Sequence, residues 1–319
     1  MSAMAQPPRL PRRDELVNTL EFEEAAALAL PPPVFATIAG SNRAAFDRMT
    51  FRPRALVPAL DMDLGVQLLG ETLFTPIVVG PVADQRRYHA DGELATARGA
   101  AAAHTVMIVS SRSSVPIDQI AAQANTPLWF CVDPGVTARQ QIARAVGAGC
   151  KAVFVAAGQS DQPGPRARAT AIDWKAIEGI RRAVEVPVVI KGVMTPQDAR
   201  TAIDAGMHGV VVSDYGATAA GKPAPIEALG SIGEVCAGKA AVLIDGGFRR
   251  GSDITKALAL GAQATLLARP VMWGLAAYGA AGVQAVLELL QSDLGRTMGA
   301  LGAPNLKSLN RDMVRIHRR

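Results

Sequence analysis

The sequence predicts an α/β chain folded as a (β/α)₈ TIM barrel with an N-terminal helical extension, and three observations lead to this prediction. The chain has 319 residues, 49% hydrophobic and 19% charged, which is enough for one large barrel-type domain or two ordinary ones. After residue 70, a short apolar run followed by an alanine-rich helical stretch recurs eight times. The runs are continuously apolar rather than alternating, as in strands buried on both faces.

The eight predicted strands are evenly spaced along the chain. They cover residues 76–81, 105–110, 127–132, 152–157, 187–192, 209–214, 241–246 and 264–269. Helices are predicted between them, for example at 91–103, 137–148, 196–205 and 253–260, several opening with an acid, Thr or Pro and several closing at Gly. Eight units in even succession favour a closed barrel over residues 61–319 as a single domain, with a doubly wound sheet as the alternative.

Residues 1–60 form the predicted extension, with a helix around residues 15–28 that ends at three consecutive prolines, 31–33. The N-terminus lacks the apolar core of a signal peptide. The longest uncharged run, 271–287, contains three glycines and Gln284 and stops at Glu288, so we expect a buried helix rather than a membrane span.

The charge distribution and the cysteines exclude several classes of protein. Residues 1–13 contribute +3 and residues 307–319 contribute +4 to a net charge of +5, which leaves a body at −2. With 4% aromatic residues, this body does not resemble a nucleic-acid binder. Three widely spaced cysteines without a CxxC or Cys/His cluster support neither a disulfide framework nor a metal site, and a reducing cytoplasm is expected.

The ends of the seventh and eighth predicted strands suggest a phosphate site. In a TIM barrel the active site lies at the carboxyl ends of the strands, and the last two loops often bind phosphate. The seventh strand leads into Asp245, Gly246, Gly247 and Arg249, and Arg269 follows the eighth. Glycines let backbone N–H groups approach an anion, and the guanidinium groups supply charge. A phosphorylated ligand is predicted, the alternative being a glycine turn with surface arginines.

Other polar residues are expected on the same rim. Lys191 follows four apolar residues, so it must either point into the barrel mouth or be paired, because an unpaired buried ammonium is costly. The remaining candidates are Ser110, Asp133, Ser213, Asp214 and Tyr215.

Histidine is scarce near this rim. His104 and His208 precede strands, His317 is in the C-terminal tail, and only His89 follows a strand, where a surface role is expected. The rim therefore lacks the usual general base near neutral pH.

Several blocks of the sequence resemble one family of flavoenzymes. They are FRPRALV, DGELATARGAAAA, VVIKGV, VVVSDYGA and LIDGGFRRGSDITKALALGA followed by LLARPV. From about residue 42 to 309 the chain is similar to the FMN-dependent α-hydroxy-acid oxidases and dehydrogenases, such as glycolate oxidase, lactate oxidase and mandelate dehydrogenase. The resemblance implies a barrel that binds FMN, commonly in a homotetramer.

The resemblance also implies roles for individual residues of a nearly complete cofactor site. Lys191 matches the family lysine beside N1 and the C2 carbonyl of the flavin, where its charge stabilises the reduced form. The other implied FMN-binding residues are Pro81, Val82, Ala83, Ser110, Cys131, Ser213, Asp245, Gly246, Gly247, Arg249, Ala268 and Arg269. Two flavin-side positions depart from the family, with Cys131 for Gln and Ala156 for Thr, and in the ribityl and phosphate site Ala268 replaces the usual Gly.

The substrate half departs further from the family. The catalytic His becomes Tyr215, the carboxylate-binding Arg becomes Thr218, and the strand-three Tyr becomes Asp133. Gly158 replaces the Asp that orients the His, Thr37 replaces the N-terminal Tyr, and the loop after strand four is cut to about residues 158–172. The second carboxylate-binding Arg corresponds to Arg166, with Arg168 an equal candidate.

These departures predict an FMN-dependent oxidoreductase for a small-molecule substrate that is larger or cationic, without nucleic-acid or membrane partners. Tyr215 would act as an acid or hydrogen-bond donor, with Lys191, Asp133 and Arg166 completing the catalytic set. The alternatives are an FMN-binding partner or scaffold without turnover and, more distantly, a non-flavin barrel enzyme for a sugar phosphate.

Overall fold

The fold is built around a closed parallel barrel. The structure is a computed structural model that describes residues 9–40, 43–54, 57, 61–157, 173–216 and 222–317. Three short strands precede the barrel: β1 (Met49–Phe51), β2 (Val66–Leu68) and β3 (Glu71–Leu73). The barrel strands are β4 (Ile77–Val79), β5 (Met107–Ser110), β6 (Leu128–Val132), β7 (Val153–Ala156), β8 (Val188–Val193), β9 (Gly209–Val212), β10 (Ala241–Asp245) and β11 (Ala264–Leu267).

Each barrel strand pairs in parallel with the next one in the chain, and β11 pairs with β4 to close the ring. The predicted (β/α)₈ barrel is therefore confirmed, and the doubly wound alternative is wrong. All eight predicted strands are present. The prediction of 61–319 as a single domain behind an extension of 60 residues stays a prediction.

Helices accompany the strands along the chain. The early helices are α1 (Thr19–Ala29), α2 (Pro32–Phe35) and α3 (Ala44–Asp47). The later ones are α4 (Gly92–Ala102), α5 (Ile117–Gln123), α6 (Ala138–Gly147), α7 (Trp174–Arg182), α8 (Pro196–Asp204), α9 (Pro225–Cys236), α10 (Gly251–Ala259) and α11 (Arg269–Ala300). A last strand, β12 (Val314–Ile316), pairs antiparallel with β1.

The N-terminal helix begins later than predicted. The Asn18 side chain accepts hydrogen bonds from the backbone N–H groups of Leu20 and Glu21, and the Glu21 carboxylate accepts from the Asn18 N–H in return. This reciprocal cap fixes the start of α1 at Thr19, because it satisfies N–H groups that the helix cannot pair. The prolines end α1 as predicted, but Pro32 also opens α2, since proline suits the first helical position.

The barrel interior is filled by side chains from alternate strand positions. One buried cluster contains Val78, Ile108, Trp129, Phe154, Val189, Val211, Leu243 and Leu266. Leu68 and Leu73 of the β2–β3 hairpin join this cluster, together with residues at the amino ends of strands such as Ala152 and Ala264. The hairpin therefore closes the amino-terminal end of the barrel, which leaves the carboxyl end for a site.

The long helix α11 packs against α1, α4 and α10. Of the described helices, it alone is long and apolar enough to cross a membrane by length and composition, and 61% of its most apolar window is buried inside the protein. Its helical geometry is interrupted at Tyr278 and Gly279, where Gly279 has φ of 60°. The uncharged run is thus a largely buried helix, as expected.

Gly99 allows α4 and α11 to approach closely. A Cβ atom at this position would lie 2.5 Å from the Ala280 carbonyl oxygen and 2.6 Å from the Val283 Cβ. Both neighbours belong to α11, and the Ala280 oxygen is a backbone atom. A side chain at residue 99 would therefore push the two closely packed helices apart. The absence of a side chain at residue 99 is therefore a packing requirement.

We expect Gly99→Ala to destabilise the protein by about 1–3 kcal/mol, because the overpacking cost exceeds the helix-propensity gain of about 1 kcal/mol. Gly147→Ala in α6 is the matched control, since a Cβ there meets nothing within 4 Å. That variant should be as stable as the parent or more so. Chemical denaturation of both variants checks this, and equal stabilities would contradict the packing argument.

Candidate functional site

A cavity of about 520 Å³ opens at the carboxyl ends of the barrel strands, within the size range of small-molecule sites. Most predicted site residues line it: Pro81, Val82, Ala83, Ser110, Cys131, Asp133, Lys191, Tyr215, Asp245, Gly246, Gly247, Arg249, Ala268 and Arg269. Ser213 is not a lining residue, because it is buried beneath Lys191. Arg166, like Arg168, Gly158 and Thr218, lies outside the described residues.

Strand geometry explains why these residues meet. Side chains two positions apart on a strand lie on the same face. Ile108, Trp129 and Leu243 fill the barrel interior. Two positions further along the same strands stand Ser110, Cys131 and Asp245 respectively, each lining the cavity. The interior packing therefore determines which residues form the cavity floor.

One end of the cavity is strongly cationic. The Arg249 Nη2 and the Arg269 Nη1 donate to the same Gly40 carbonyl oxygen, each at 2.8 Å. Arg249 is 3% exposed, and its guanidinium lies 4.5 Å from the centroid of the Trp273 ring. Within the described part of the chain, neither guanidinium has an ion-pair partner. Burial, followed by the nearby charge of Arg269, lowers the pKa of Arg249 to about 9.

The adjoining loop is shaped for close approach of a ligand. Gly246 and Gly247 have φ of 95° and 83°, a left-handed conformation that glycine adopts without strain. The Asp253 carboxylate accepts from the N–H groups of Arg249 and Arg250, both at 3.0 Å, and pairs with Arg43. Asp253 thus caps the start of α10 and fixes the loop that carries Arg249. The guanidinium groups of Arg249 and Arg269 remain available to a bound anion.

Lys191 lies at the centre of the cavity floor. Its Nζ donates to the Ser213 Oγ at 2.6 Å and forms an ion pair with the Asp245 carboxylate. The other carboxylate oxygen, Asp245 Oδ1, is buried and has no hydrogen-bond partner among the described residues. Because an unsatisfied buried acceptor is costly, a donor on a ligand in the cavity would stabilise it.

Tyr215 is folded back against the barrel wall. It has a left-handed φ of 56°, and its hydroxyl donates towards the Lys191 carbonyl at 2.7 Å and the Ala157 carbonyl at 2.9 Å. Burial raises the pKa of Tyr215 far above its usual range, and the negative charges of Asp245 and Asp133 act in the same direction. A phenol that donates to carbonyl groups stays protonated, so it cannot serve as a resting base.

None of the four histidines of the chain, all of which are described, lines the cavity. Each makes a contact elsewhere: His89 packs on Gly279, His104 on Phe74, His208 accepts from the Val188 N–H, and His317 hydrogen-bonds to Thr50. The expected lack of a rim imidazole is therefore confirmed for the described cavity.

The cavity also includes polar residues that the sequence analysis did not single out. Arg112 forms an ion pair with Asp133, Nε to Oδ2 at 2.8 Å. Tyr88 lies 3.2 Å from the Thr37 hydroxyl, which itself donates to the Val34 carbonyl, so the Tyr88 hydroxyl is the donor of the pair. The sequence could have identified Arg112, because it lies two residues after Ser110, the serine at the end of a barrel strand.

Cys131 stands on the floor between these groups. It is 7% exposed, and burial raises the pKa of its thiol to about 12, with the Lys191 charge opposing the shift. The thiol is therefore neutral near pH 7. All three cysteines of the chain are buried and free.

A buried carboxylate joins two of the loops that line the cavity. Glu93 is fully buried and accepts from the Gln85 N–H at 3.1 Å, the Ser114 N–H at 2.9 Å and the Ser114 hydroxyl at 2.6 Å. Gln85 belongs to the loop after β4 and Ser114 to the loop after β5. Glu93 thus fixes the relative positions of the loops that carry Val82 and Arg112.

Comparisons with known proteins agree with this geometry. A family model described as FMN-dependent dehydrogenase matches residues 36–169 and 156–316. A peroxisomal (S)-2-hydroxyacid oxidase of Arabidopsis thaliana is 34% identical, covering 95% of this chain and 97% of its own, and a 4-hydroxymandelate oxidase of Amycolatopsis orientalis is 33% identical, covering 92% and 97%.

A solved structure of mandelate oxidase superposes with a TM-score of 0.89 at 34% identity, covering 95% of this chain and 100% of the other. The family match includes the barrel, the cationic end of the cavity and Lys191. On these grounds the chain belongs to the FMN-dependent dehydrogenase family, and it is an FMN-dependent oxidoreductase.

Proposed function

We propose that this FMN-dependent oxidoreductase acts on a substrate other than a simple 2-hydroxy acid, namely a neutral or cationic alcohol or amine. The observation that supports this most strongly is the state of Tyr215. It stands where the resemblance puts the catalytic His, yet its hydroxyl donates to two backbone carbonyls.

The residues present fit FMN. Arg249, Arg269 and the glycine loop suit its phosphate, which carries close to two negative charges near pH 7. The unpartnered Asp245 Oδ1 is placed to accept from a ribityl hydroxyl, and Lys191 would lie at the flavin ring. FMN supplies the two-electron acceptor of the reaction. The protein binds and orients both reactants and excludes water.

Charge pairing argues against a carboxylate substrate. Of the described cationic residues on the cavity wall, Lys191 is paired with Asp245 and Arg112 with Asp133. The others, Arg249 and Arg269, lie at the phosphate end. A buried carboxylate left without a guanidinium costs on the order of 3–5 kcal/mol. An acid, Asp133, also stands where the resemblance places a tyrosine.

The lack of an imidazole argues against oxidation that begins with proton abstraction by the enzyme. General base catalysis raises the reaction rate by about 10²–10⁴-fold, and the pKa of the base must lie near the working pH. A neutral amine, in contrast, can release a hydride without an enzymatic base, because its own lone pair stabilises the developing cation. We therefore favour an amine within the proposed class.

The alternative of an FMN-binding scaffold without turnover is not favoured, since the relatives are named as oxidases. The feature that suggested a scaffold is the shortened loop at 158–172, and this loop lies outside the described residues. The scattered free cysteines lead us to propose a cytoplasmic protein, and the resemblance leads us to propose a homo-oligomer of four chains. Light scattering after size exclusion would test the oligomeric state.

Replacing Arg249 tests the phosphate end. We expect Arg249→Met to weaken FMN binding by about 10–100-fold, because a charge-assisted hydrogen bond contributes about 1.5–3 kcal/mol. Riboflavin, which has the same ring and no phosphate, is the matched control ligand and should lose less than about threefold. Fluorescence quenching gives both dissociation constants, and equal losses for the two ligands would contradict the assignment.

A substrate screen tests the proposed function. Purified, FMN-loaded protein is mixed without oxygen with amines, neutral alcohols and 2-hydroxy acids, and flavin bleaching is followed. We expect at least one amine or alcohol to reduce the flavin about 100-fold faster than glycolate, lactate or mandelate. Fastest reduction by a hydroxy acid would overturn the proposed substrate class, and reduction by dithionite alone would favour the scaffold alternative.

A further inference from the structure

We propose that Tyr215 is a positioning residue for Lys191. The ring and hydroxyl of Tyr215 fix the Lys191 ammonium on the cavity floor and thereby set the reduction potential of bound FMN. The inference rests on the FMN site of the proposed function, and it gives Tyr215 a role other than that of acid or substrate-binding donor.

An irregularity in β8 provides the place for the phenol. The pairing of β8 with β9 shifts register between Lys191 and Val193, and the intervening Gly192 has φ of 108°. A Cβ atom at Gly192 would lie 2.3 Å from the Ala157 carbonyl oxygen and 2.8 Å from the Tyr215 hydroxyl. The missing side chain thus makes room for the end of the phenol, as glycine commonly does at a bulge.

The hydroxyl completes the hydrogen bonding at this bulge. The Lys191 carbonyl already accepts from the Ala157 N–H at 2.7 Å, as in a regular ladder. Tyr215 adds a donor between this carbonyl and that of Ala157, where the strand pairing ends. The backbone of Lys191 is therefore tied to Tyr215 as well as to β7.

The ring contacts the other end of the same residue. The Lys191 Nζ lies 4.5 Å from the centroid of the Tyr215 ring, within the range of a cation–π interaction. The Tyr215 N–H donates to the Ser213 Oγ at 3.2 Å, and this oxygen also accepts from the Lys191 Nζ. Tyr215 thus reaches Lys191 through its ring, its hydroxyl and its backbone.

These contacts limit where the ammonium can point. An ammonium has three N–H donors, and Ser213 and Asp245 take two of them. The ring covers one side of the Nζ, which leaves the third donor for a ligand in the cavity that Lys191 lines. Without the ring, the ammonium could move into the space that the ring now fills, away from a ligand in the cavity, and stabilise the negative charge of the reduced flavin less.

The test is a double-mutant cycle on the FMN-loaded protein. Tyr215→Leu removes the ring and the hydroxyl, Tyr215→Phe removes only the hydroxyl, and each is also made with Lys191→Met. The potential of the bound flavin is measured by dithionite titration against a reference dye, and stability is measured by thermal unfolding. If Tyr215→Leu does not fold, Tyr215→Met replaces it.

We expect Tyr215→Leu to lower the potential by about 30 mV, which corresponds to a tenfold weaker preference for the reduced state. Tyr215→Phe should shift the potential by less than a third of this, while lowering the melting temperature because the Lys191 and Ala157 carbonyls lose the hydroxyl donor that they share. In the Lys191→Met background, the Leu substitution should no longer affect the potential.

An unchanged potential in Tyr215→Leu, or an equal shift with and without Lys191, would overturn the inference. Because dithionite reduces the flavin without substrate, this result does not depend on which substrate the protein oxidises. Failure of the proposed function would instead appear in the substrate screen.

Discussion

The two-residue period of the barrel strands is the constraint on which the rest of this structure depends. Closure of the sheet requires Ile108, Trp129, Leu243 and their counterparts to point inward and fill the interior. The next inward position on each strand then falls at the open carboxyl end. Ser110, Cys131, Lys191 and Asp245 are polar or reactive residues at those positions, so core packing and site assembly follow from one pattern.

The charges of the cavity are divided between its two ends. At one end, Arg249 and Arg269 share a backbone acceptor and have no acid as partner in the described chain, an arrangement that favours a bound dianion. Elsewhere, Lys191 with Asp245 and Arg112 with Asp133 are internally balanced. The cationic end is therefore suited to an anionic ligand, whereas the rest of the described cavity wall has its charges paired.

Tyr215 links the proposed substrate class to the proposed positioning of Lys191. Where the resemblance places an imidazole, this chain has a phenol whose hydroxyl donates towards the Lys191 and Ala157 carbonyls, in the space beside Gly192. A side chain fixed in this way cannot accept a proton from substrate, but it restrains the lysine beside it. In the proposed function, the chemistry then relies on the cofactor and on the substrate's own reactivity.

The sequence by itself determined the eight strands, the rim that bears the cavity and its cationic end, because strand period and glycine–arginine loops are local patterns. It misplaced the start of α1 and did not identify Arg112, Tyr88 or Glu93 as parts of the site. Only the tertiary structure decided that Ser213 lies beneath Lys191 and that the Tyr215 hydroxyl faces backbone carbonyls. Those contacts join residues more than twenty positions apart, and their geometry exists only once the barrel has closed and β8 has bulged at Gly192.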